Sequence, residues 1–110
     1  MAFVELIPLS RCRIGGGTFI PCDMLELAVF RFTDPDRVIV LDNACPHANG
    51  NLSGGAVHDG LVRCPWHSWE FNLDSGQCTH SDKARVRRYA AQNRNGVVWA
   101  DIPKKSAPQP

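Results

Sequence analysis

Two short segments hold the residues whose types and spacing could do metal chemistry, Cys45-Pro46-His47 and Cys64-Pro65-Trp66-His67. Each places an imidazole two or three residues after a thiol. Two thiolates and two ring nitrogens around one point suit either tetrahedral zinc or an iron–sulfur centre. The plain alternative is two core cysteines and two surface histidines that fall by chance into paired motifs.

The chain between these segments predicts how they could meet. Ala56–His58 and Leu61–Arg63 are short apolar runs joined by Asp59-Gly60, and Asp-Gly favours a type I′ hairpin turn. A hairpin here leaves each segment in a loop. It can also bring the two loop tips together, so that Cys45, His47, Cys64 and His67 surround one point.

The first half of the chain predicts three further strands: Val4–Leu9, Leu25–Phe32 and Val38–Leu41. The first is expected at a sheet edge, where Pro8 is tolerated. The second alternates, which predicts Ala28, Phe30 and Phe32 on one face and Leu25, Leu27 and Val29 on the other. A turn is predicted over Thr33–Asp36.

The second half of the chain continues the same pattern. Trp69, Phe71 and Leu73 alternate toward one side, before a turn at residues 74–76. Asn95-Gly96 predicts a second hairpin, with Arg85–Tyr89 and Val97–Ile102 as its strands. Because no segment shows a capped helical stripe, an all-β fold is predicted, an antiparallel sandwich or barrel.

Composition narrows the class of protein. The net charge is +1, which gives no electrostatic case for binding nucleic acid or an anionic membrane. No apolar run approaches the roughly 20 residues of a transmembrane helix, and Met1–Leu9 does not resemble a signal peptide. A cytoplasmic protein is therefore expected. One domain is predicted over residues 1–102, followed by a disordered tail at residues 103–110.

A cysteine-x-histidine motif followed by a cysteine-x-x-histidine motif, each with Pro after its Cys, resembles the Rieske [2Fe–2S] family. CPHANG and CPWHSWEF are similar to that family's two cluster-binding loops, and the resemblance is tight over Leu41–Gly76. It implies one [2Fe–2S] cluster, with Cys45 and Cys64 on one iron and His47 and His67 on the other. It also implies three antiparallel sheets, with a small cluster-binding subdomain, about residues 43–76, inserted in a larger base domain.

Departures from the family pattern predict a low reduction potential. Gly50 and Trp66 stand where high-potential members have an extra pair of cysteines, and Trp69 and Phe71 stand where those members have hydroxyls. Fewer hydrogen bonds to the sulfurs stabilise the reduced state less, so a potential of roughly −150 mV is expected. The third loop, near His80–Ala84, lacks the family's common proline. Ser68 replaces a usual glycine.

The resemblance implies a small electron carrier, not an enzyme by itself. The leading hypothesis is a Rieske ferredoxin that is monomeric when free and passes single electrons from a flavin reductase to a terminal oxygenase. The alternative within the family is the small subunit of an assimilatory nitrite reductase, with the large subunit as partner. The alternative from another class is a zinc-stabilised interaction module without redox activity.

Several chemically capable residues fall outside the paired motifs. Cys12, Cys22 and Cys78 are expected to be small core or surface residues, although a Cys12–Cys22 disulfide is possible in an oxidising compartment. His58 and His80 are expected at the surface, although His80, in the third loop, could instead lie close to the cluster. Trp69 is expected to pack behind the second motif, whereas Trp66 could cover the cluster or touch a partner. A basic run is either a solvated strand face or a docking patch for an acidic partner; its members are Lys83, Arg85, Arg87 and Arg88.

Overall fold

The computed structural model describes residues 2–22, 24–33, 36–45, 50–66 and 69–102. Within them, strands build three antiparallel sheets. The strands are β1 (Ala2–Pro8), β2 (Gly17–Cys22), β3 (Leu25–Phe32), β4 (Arg37–Asp42), β5 (Val57–His58), β6 (Leu61–Arg63), β7 (Glu70–Asn72), β8 (Arg88–Tyr89), β9 (Ala91–Arg94) and β10 (Val97–Ile102). Two single 3-10 turns, Leu9–Arg11 and Leu52–Gly54, are the helical elements of the described part. The all-β prediction is confirmed.

A four-stranded sheet, ordered β2-β3-β4-β8, lies between two apolar cores. The first core contains Ala28, Phe30, Ile39, Leu41, Cys45, Leu52, Val62, Cys64, Phe71, Leu73, Cys78 and Val86. The second core contains Ile7, Leu9, Cys12, Leu27, Val29, Val40, Tyr89, Val98, Ala100 and Ile102. Alternate residues of β3 and β4 point to opposite cores, so the two faces predicted for Leu25–Phe32 are confirmed.

The first sheet, ordered β1-β10-β9, covers the second core. β1 pairs only with β10 in the described sheets, so it is the edge strand predicted from Val4–Leu9. The strand ends at Pro8, and Leu9 instead begins a 3-10 turn. Pro8 has no N–H to donate, and the end of an edge strand is where that lack is tolerated.

The second predicted hairpin is correct in its turn but wrong in one strand. Asn95 and Gly96 have φ angles of 53° and 81°, as a type I′ turn requires. However, the strand before the turn is β9, and only Arg88–Tyr89 of the predicted Arg85–Tyr89 forms a strand, which pairs with β4. β9 lacks an apolar pattern because it is largely exposed at a sheet edge. Tyr89 carries the apolar signal because it is buried in the second core.

The smallest sheet, ordered β5-β6-β7, lies between β4 and β8 in the sequence, although those two strands are neighbours in one sheet. Its first turn has φ angles of 50° at Asp59 and 76° at Gly60, which confirms the predicted type I′ hairpin. Val62 and Phe71 point from this sheet into the first core. The predicted bounds, residues 1–102 for the domain and 43–76 for the subdomain, stay predictions. The tail at 103–110 and part of the predicted turn at 33–36 lie outside the described residues.

Candidate metal centre

The two motif cysteines both lie in the first core. Cys45 follows β4 and Cys64 follows β6, and their exposures are 0% and 1%. The structure thus brings together two thiols that are far apart in sequence. The two other predicted ligands, His47 and His67, lie outside the described residues.

The backbone closes the same way around both cysteine segments. The Cys45 N–H donates to the carbonyl oxygen of Gly50, and the Cys64 N–H donates to that of Trp69, each at 2.9 Å. Both hydrogen bonds span five residues, and each spans a segment that contains one motif histidine. We call residues 45–50 the first cysteine loop and residues 64–69 the second cysteine loop.

Asn43, which sequence reasoning missed, anchors the first cysteine loop. It is fully buried, and its side chain donates to Asn51 Oδ1 at 2.8 Å and accepts the Ser53 N–H at 2.9 Å. Its backbone donates to Glu26 and accepts from Leu52, each at 2.8 Å. A buried amide is stable only when it is hydrogen-bonded in this way. An Asn directly after an apolar strand was the available signal.

The two cysteine loops meet at Gly50. A Cβ on Gly50 would stand 2.6 Å from Cys64 Sγ and 3.3 Å from Cγ of Trp66. No side chain fits there, so glycine is required by close approach, not by an unusual φ angle. All five cysteines are described, and none of them forms a disulfide, including Cys12 and Cys22.

The described donors fit the sulfur half of a two-sulfur, two-nitrogen ligand set. Cys45 and Cys64 are buried thiols at the starts of two loops in contact, and each loop sequence contains one imidazole. Thiolates and imidazoles are the ligands of Rieske centres and also of some zinc sites. The geometry of the described residues therefore supports a metal centre at this place, of either the iron–sulfur or the zinc kind.

The tryptophans of the second cysteine loop differ in exposure. Trp66 is 68% exposed, whereas Trp69 is partly buried and packs against the first core. The predicted packing of Trp69 behind the loop is therefore confirmed. Trp66 remains on the surface directly beside Cys64 and Gly50, where a partner could contact it.

The other cysteines lie where the sequence predicted, among core residues. Cys12 is in the second core, where burial raises the pKa of its thiol, and Cys78 is in the first core. Cys22 is partly buried and packs against the second core. A raised pKa keeps the Cys12 thiol protonated and makes it a poor metal ligand.

His58 and the basic run lie at the surface, as predicted. The side chain of His58 is half exposed, and its Nε2 lies 2.7 Å from Glu70 Oε2, an ion pair across β6 that sequence reasoning missed. This hydrogen bond, followed by a weaker one to Asp59, raises the pKa of His58. All four basic side chains are exposed: Lys83, Arg85, Arg87 and Arg88.

Comparison with known proteins decides the kind of centre. The model of the Rieske [2Fe-2S] domain matches residues 10–90. This chain belongs to the Rieske family. Family membership confirms the predicted cofactor, one [2Fe–2S] cluster, and sets aside the zinc-stabilised module.

Curated relatives of this Rieske chain are larger proteins. Cholesterol 7-desaturase nvd of Drosophila melanogaster is 38% identical over 102 residues, which cover 86% of this chain and 24% of that protein. The oxygenase subunit of 3-chlorobenzoate-3,4-dioxygenase from Comamonas testosteroni is 30% identical over 95 residues, 76% of this chain and 22% of that protein. The chain thus spans about a quarter of the length of these relatives.

Solved structures similar to this Rieske chain confirm the fold. The ferredoxin of carbazole 1,9a-dioxygenase from Nocardioides aromaticivorans is 25% identical with a TM-score of 0.81, covering 91% of this chain and 97% of that one. The Sphingomonas yanoikuyae B1 ferredoxin is 25% identical with a TM-score of 0.79, covering 93% and 100%. A protein described as a nitrite reductase small subunit of Mycobacterium tuberculosis, 24% identical with a TM-score of 0.81 and coverage of 90% and 93%, shows the fold alone. Within the described residues, no helix is long and apolar enough to cross a membrane.

Proposed function

We propose that this Rieske protein is a one-electron carrier whose [2Fe–2S] cluster is held by Cys45 and Cys64 on one iron and by His47 and His67 on the other. When bound, the cluster supplies one-electron redox chemistry. The observation that carries the proposal is the contact of two cysteine loops, each closed by the same five-residue backbone hydrogen bond, with both thiols buried in one core.

The donor set determines the electrostatics of this site. Two neutral imidazoles in place of two thiolates remove about two negative charges, which makes electron uptake easier than in an all-cysteine site. Burial of Cys45 and Cys64 keeps water from these thiolates and strengthens their interaction with iron.

The neighbours of the second cysteine loop support a low reduction potential for a Rieske centre. Trp69 and Phe71 occupy the positions where high-potential members have hydroxyls, and neither aromatic ring carries a hydroxyl. Phe71 is fully buried in the first core. We expect roughly −150 mV, the low end of the Rieske range. A positive potential, measured by protein-film voltammetry, would contradict this part of the proposal.

The proposed partners are a flavin reductase that donates electrons and a terminal oxygenase that accepts them. Relatives named as an oxygenase subunit and as the ferredoxin of a dioxygenase support this choice. The exposed Trp66 beside Cys64 offers a contact surface close to the site. A monomer in the cytoplasm, which dissociates readily from each partner, fits the role of a shuttle.

The deciding experiment is visible absorption and low-temperature EPR of anaerobically purified protein, before and after dithionite. We expect a red-brown protein that is EPR-silent when oxidised. Reduction should give a rhombic signal with an average g below that of all-cysteine ferredoxins. A colourless protein that retains zinc after cluster reconstitution would overturn the proposal.

The small subunit of a nitrite reductase is the second candidate. Its support is the similar fold of a protein of that description. Affinity purification from the native host separates the two roles. Stable recovery with a large sirohaem enzyme would favour the subunit, whereas recovery of free monomer would favour the shuttle.

A further inference from the structure

The segment that follows β7 forms a third loop, residues 77–84, which is braced from within. The side-chain amide of Gln77 donates to the carbonyl oxygens of Ala84 at 3.0 Å and Ser81 at 3.1 Å. The Cys78 N–H also donates to the Ala84 carbonyl at 3.1 Å, which closes the loop. The loop contains no proline, so these hydrogen bonds give it its shape.

The third loop is attached to the strand that follows the second cysteine loop. The Thr79 N–H donates to the carbonyl oxygen of Glu70 at 2.8 Å. The His80 N–H donates to Sγ of Cys78, which is buried in the first core, at 3.3 Å. These two contacts hold the third loop against β7 and the first core.

The imidazole of His80 stacks on the indole of Trp69. The rings are nearly parallel, at 6°, and their centroids are 6.3 Å apart, as in an offset stack. His80 is exposed, whereas Trp69 is partly buried against the core that contains Cys45 and Cys64. The stack thus connects the third loop to the edge of the metal site.

Trp69 also has a backbone role in the same place. Its carbonyl oxygen accepts the Cys64 N–H and so closes the second cysteine loop. A change in the position of Trp69 would therefore alter both the packing against the first core and the closure of the loop that contains Cys64. Among the described residues, the His80 ring contacts Trp69, and the His80 backbone contacts Cys78 of the first core.

We propose that His80 is a positioning residue. Its ring, stacked on Trp69, keeps the third loop against the second cysteine loop and limits the access of water to the cluster. This inference rests on the cysteine ligands of the proposed function. This role requires the flat ring of His80 and does not require the charge of the imidazole.

Water near the site has a predictable effect on the reduction potential. The reduced state has one negative charge more than the oxidised state, and water stabilises the more charged state. Loosening the stack should therefore raise the reduction potential. It should also speed attack on the cluster by oxygen or a chelator.

The test compares three variants of the cluster-loaded protein: His80→Ala, His80→Phe and Asp82→Ala. His80→Ala removes the ring, and we expect a higher potential and about 10-fold faster loss of visible absorbance in the presence of a chelator. His80→Phe keeps a flat ring without an ionisable group. It should match the wild type in its reduction potential and in its rate of absorbance loss. Asp82→Ala changes an exposed residue of the same loop and should also match.

The stack itself has an independent readout. Ring-current shifts of the His80 ring protons in oxidised wild-type protein should disappear in Trp69→Leu. Unchanged potential and lifetime in His80→Ala would overturn the inference, as would a His80→Phe variant that behaves like His80→Ala. A wild-type protein without a Rieske EPR signal would overturn the proposed function first and the inference with it, so the two failures are distinguishable.

Discussion

Gly50 and Cys64 lie so close that a Cβ on Gly50 would stand 2.6 Å from the Cys64 sulfur. Gly50 also accepts the backbone hydrogen bond of Cys45. One glycine therefore closes the first cysteine loop and leaves room for the thiol of the second. The two loops are therefore in close contact at this point.

Gly50→Ala should disrupt the metal site. The added methyl group must displace Cys64 Sγ or the Trp66 ring, and overpacking of this kind costs about 1–3 kcal/mol. We expect a lower iron content per chain and a lower thermal midpoint. Gly54→Ala is the matched control, because a Cβ there meets nothing within 4 Å. Equal iron contents in the two variants would refute the close-contact argument.

Cys45→Ser and Cys64→Ser should each abolish the visible absorbance and the EPR signal, because each removes one of the two thiolates that we propose bind the same iron. Cys12→Ala should retain both signals, since Cys12 lies in the second core with its Sγ directed to the Pro8 carbonyl. Iron and sulfide analysis of the three proteins measures the difference. Full cluster content in either serine variant would contradict the proposed ligand set.

Asn43→Ala should destabilise the first cysteine loop. It removes a buried amide and leaves the Ser53 N–H without its acceptor, which costs about 1–3 kcal/mol. Chemical denaturation monitored by tryptophan fluorescence measures the loss. Asn51→Ala removes only the exposed partner of the same amide and should cost less. A larger effect in Asn51→Ala would reverse the roles assigned here.

Tyr89→Phe should weaken the contact between β4 and β8. The Tyr89 hydroxyl donates to Asp42 Oδ1 at 2.5 Å, and its loss should cost about 1 kcal/mol at neutral pH. Burial, and then the bond to Asp42, raise the pKa of Tyr89 well above its ordinary value of 10.0. The unfolded chain therefore loses this proton first, and wild-type stability should fall as pH rises above about 10. Unfolding curves between pH 8 and pH 11 should show a smaller decline in Tyr89→Phe.

The His58–Glu70 pair should make the stability of the smallest sheet depend on pH. The hydrogen bond to Glu70, with help from Asp59, raises the pKa of His58 above its ordinary value of 6.5. The stabilisation is fully present below about pH 6.5 and is lost as pH rises through the raised pKa. Thermal midpoints from pH 5 to pH 9 should show this decline in the wild type. Glu70→Gln should flatten it, and Asp59→Asn should reduce it less.

Local sequence determined the parts of the fold that depend on neighbouring residues. Alternation in Leu25–Phe32 predicted which side chains face which core, because the strand period of two is a property of the backbone. Asp59-Gly60 and Asn95-Gly96 predicted both tight turns, since those pairs tolerate positive φ angles. The paired cysteine motifs also predicted the family and its cofactor, because that spacing is rare.

Only the tertiary structure decided which distant segments meet. β4 and β8 are neighbours in one sheet although the smallest sheet lies between them in the sequence, and no apolar pattern marks β9. The roles of Asn43 and Gly50, and the stack of His80 on Trp69, depend on contacts between segments that are separated in the sequence. The sequence thus predicted a metal site with two thiols and two imidazoles. Long-range packing selected the residues that close the loops around it.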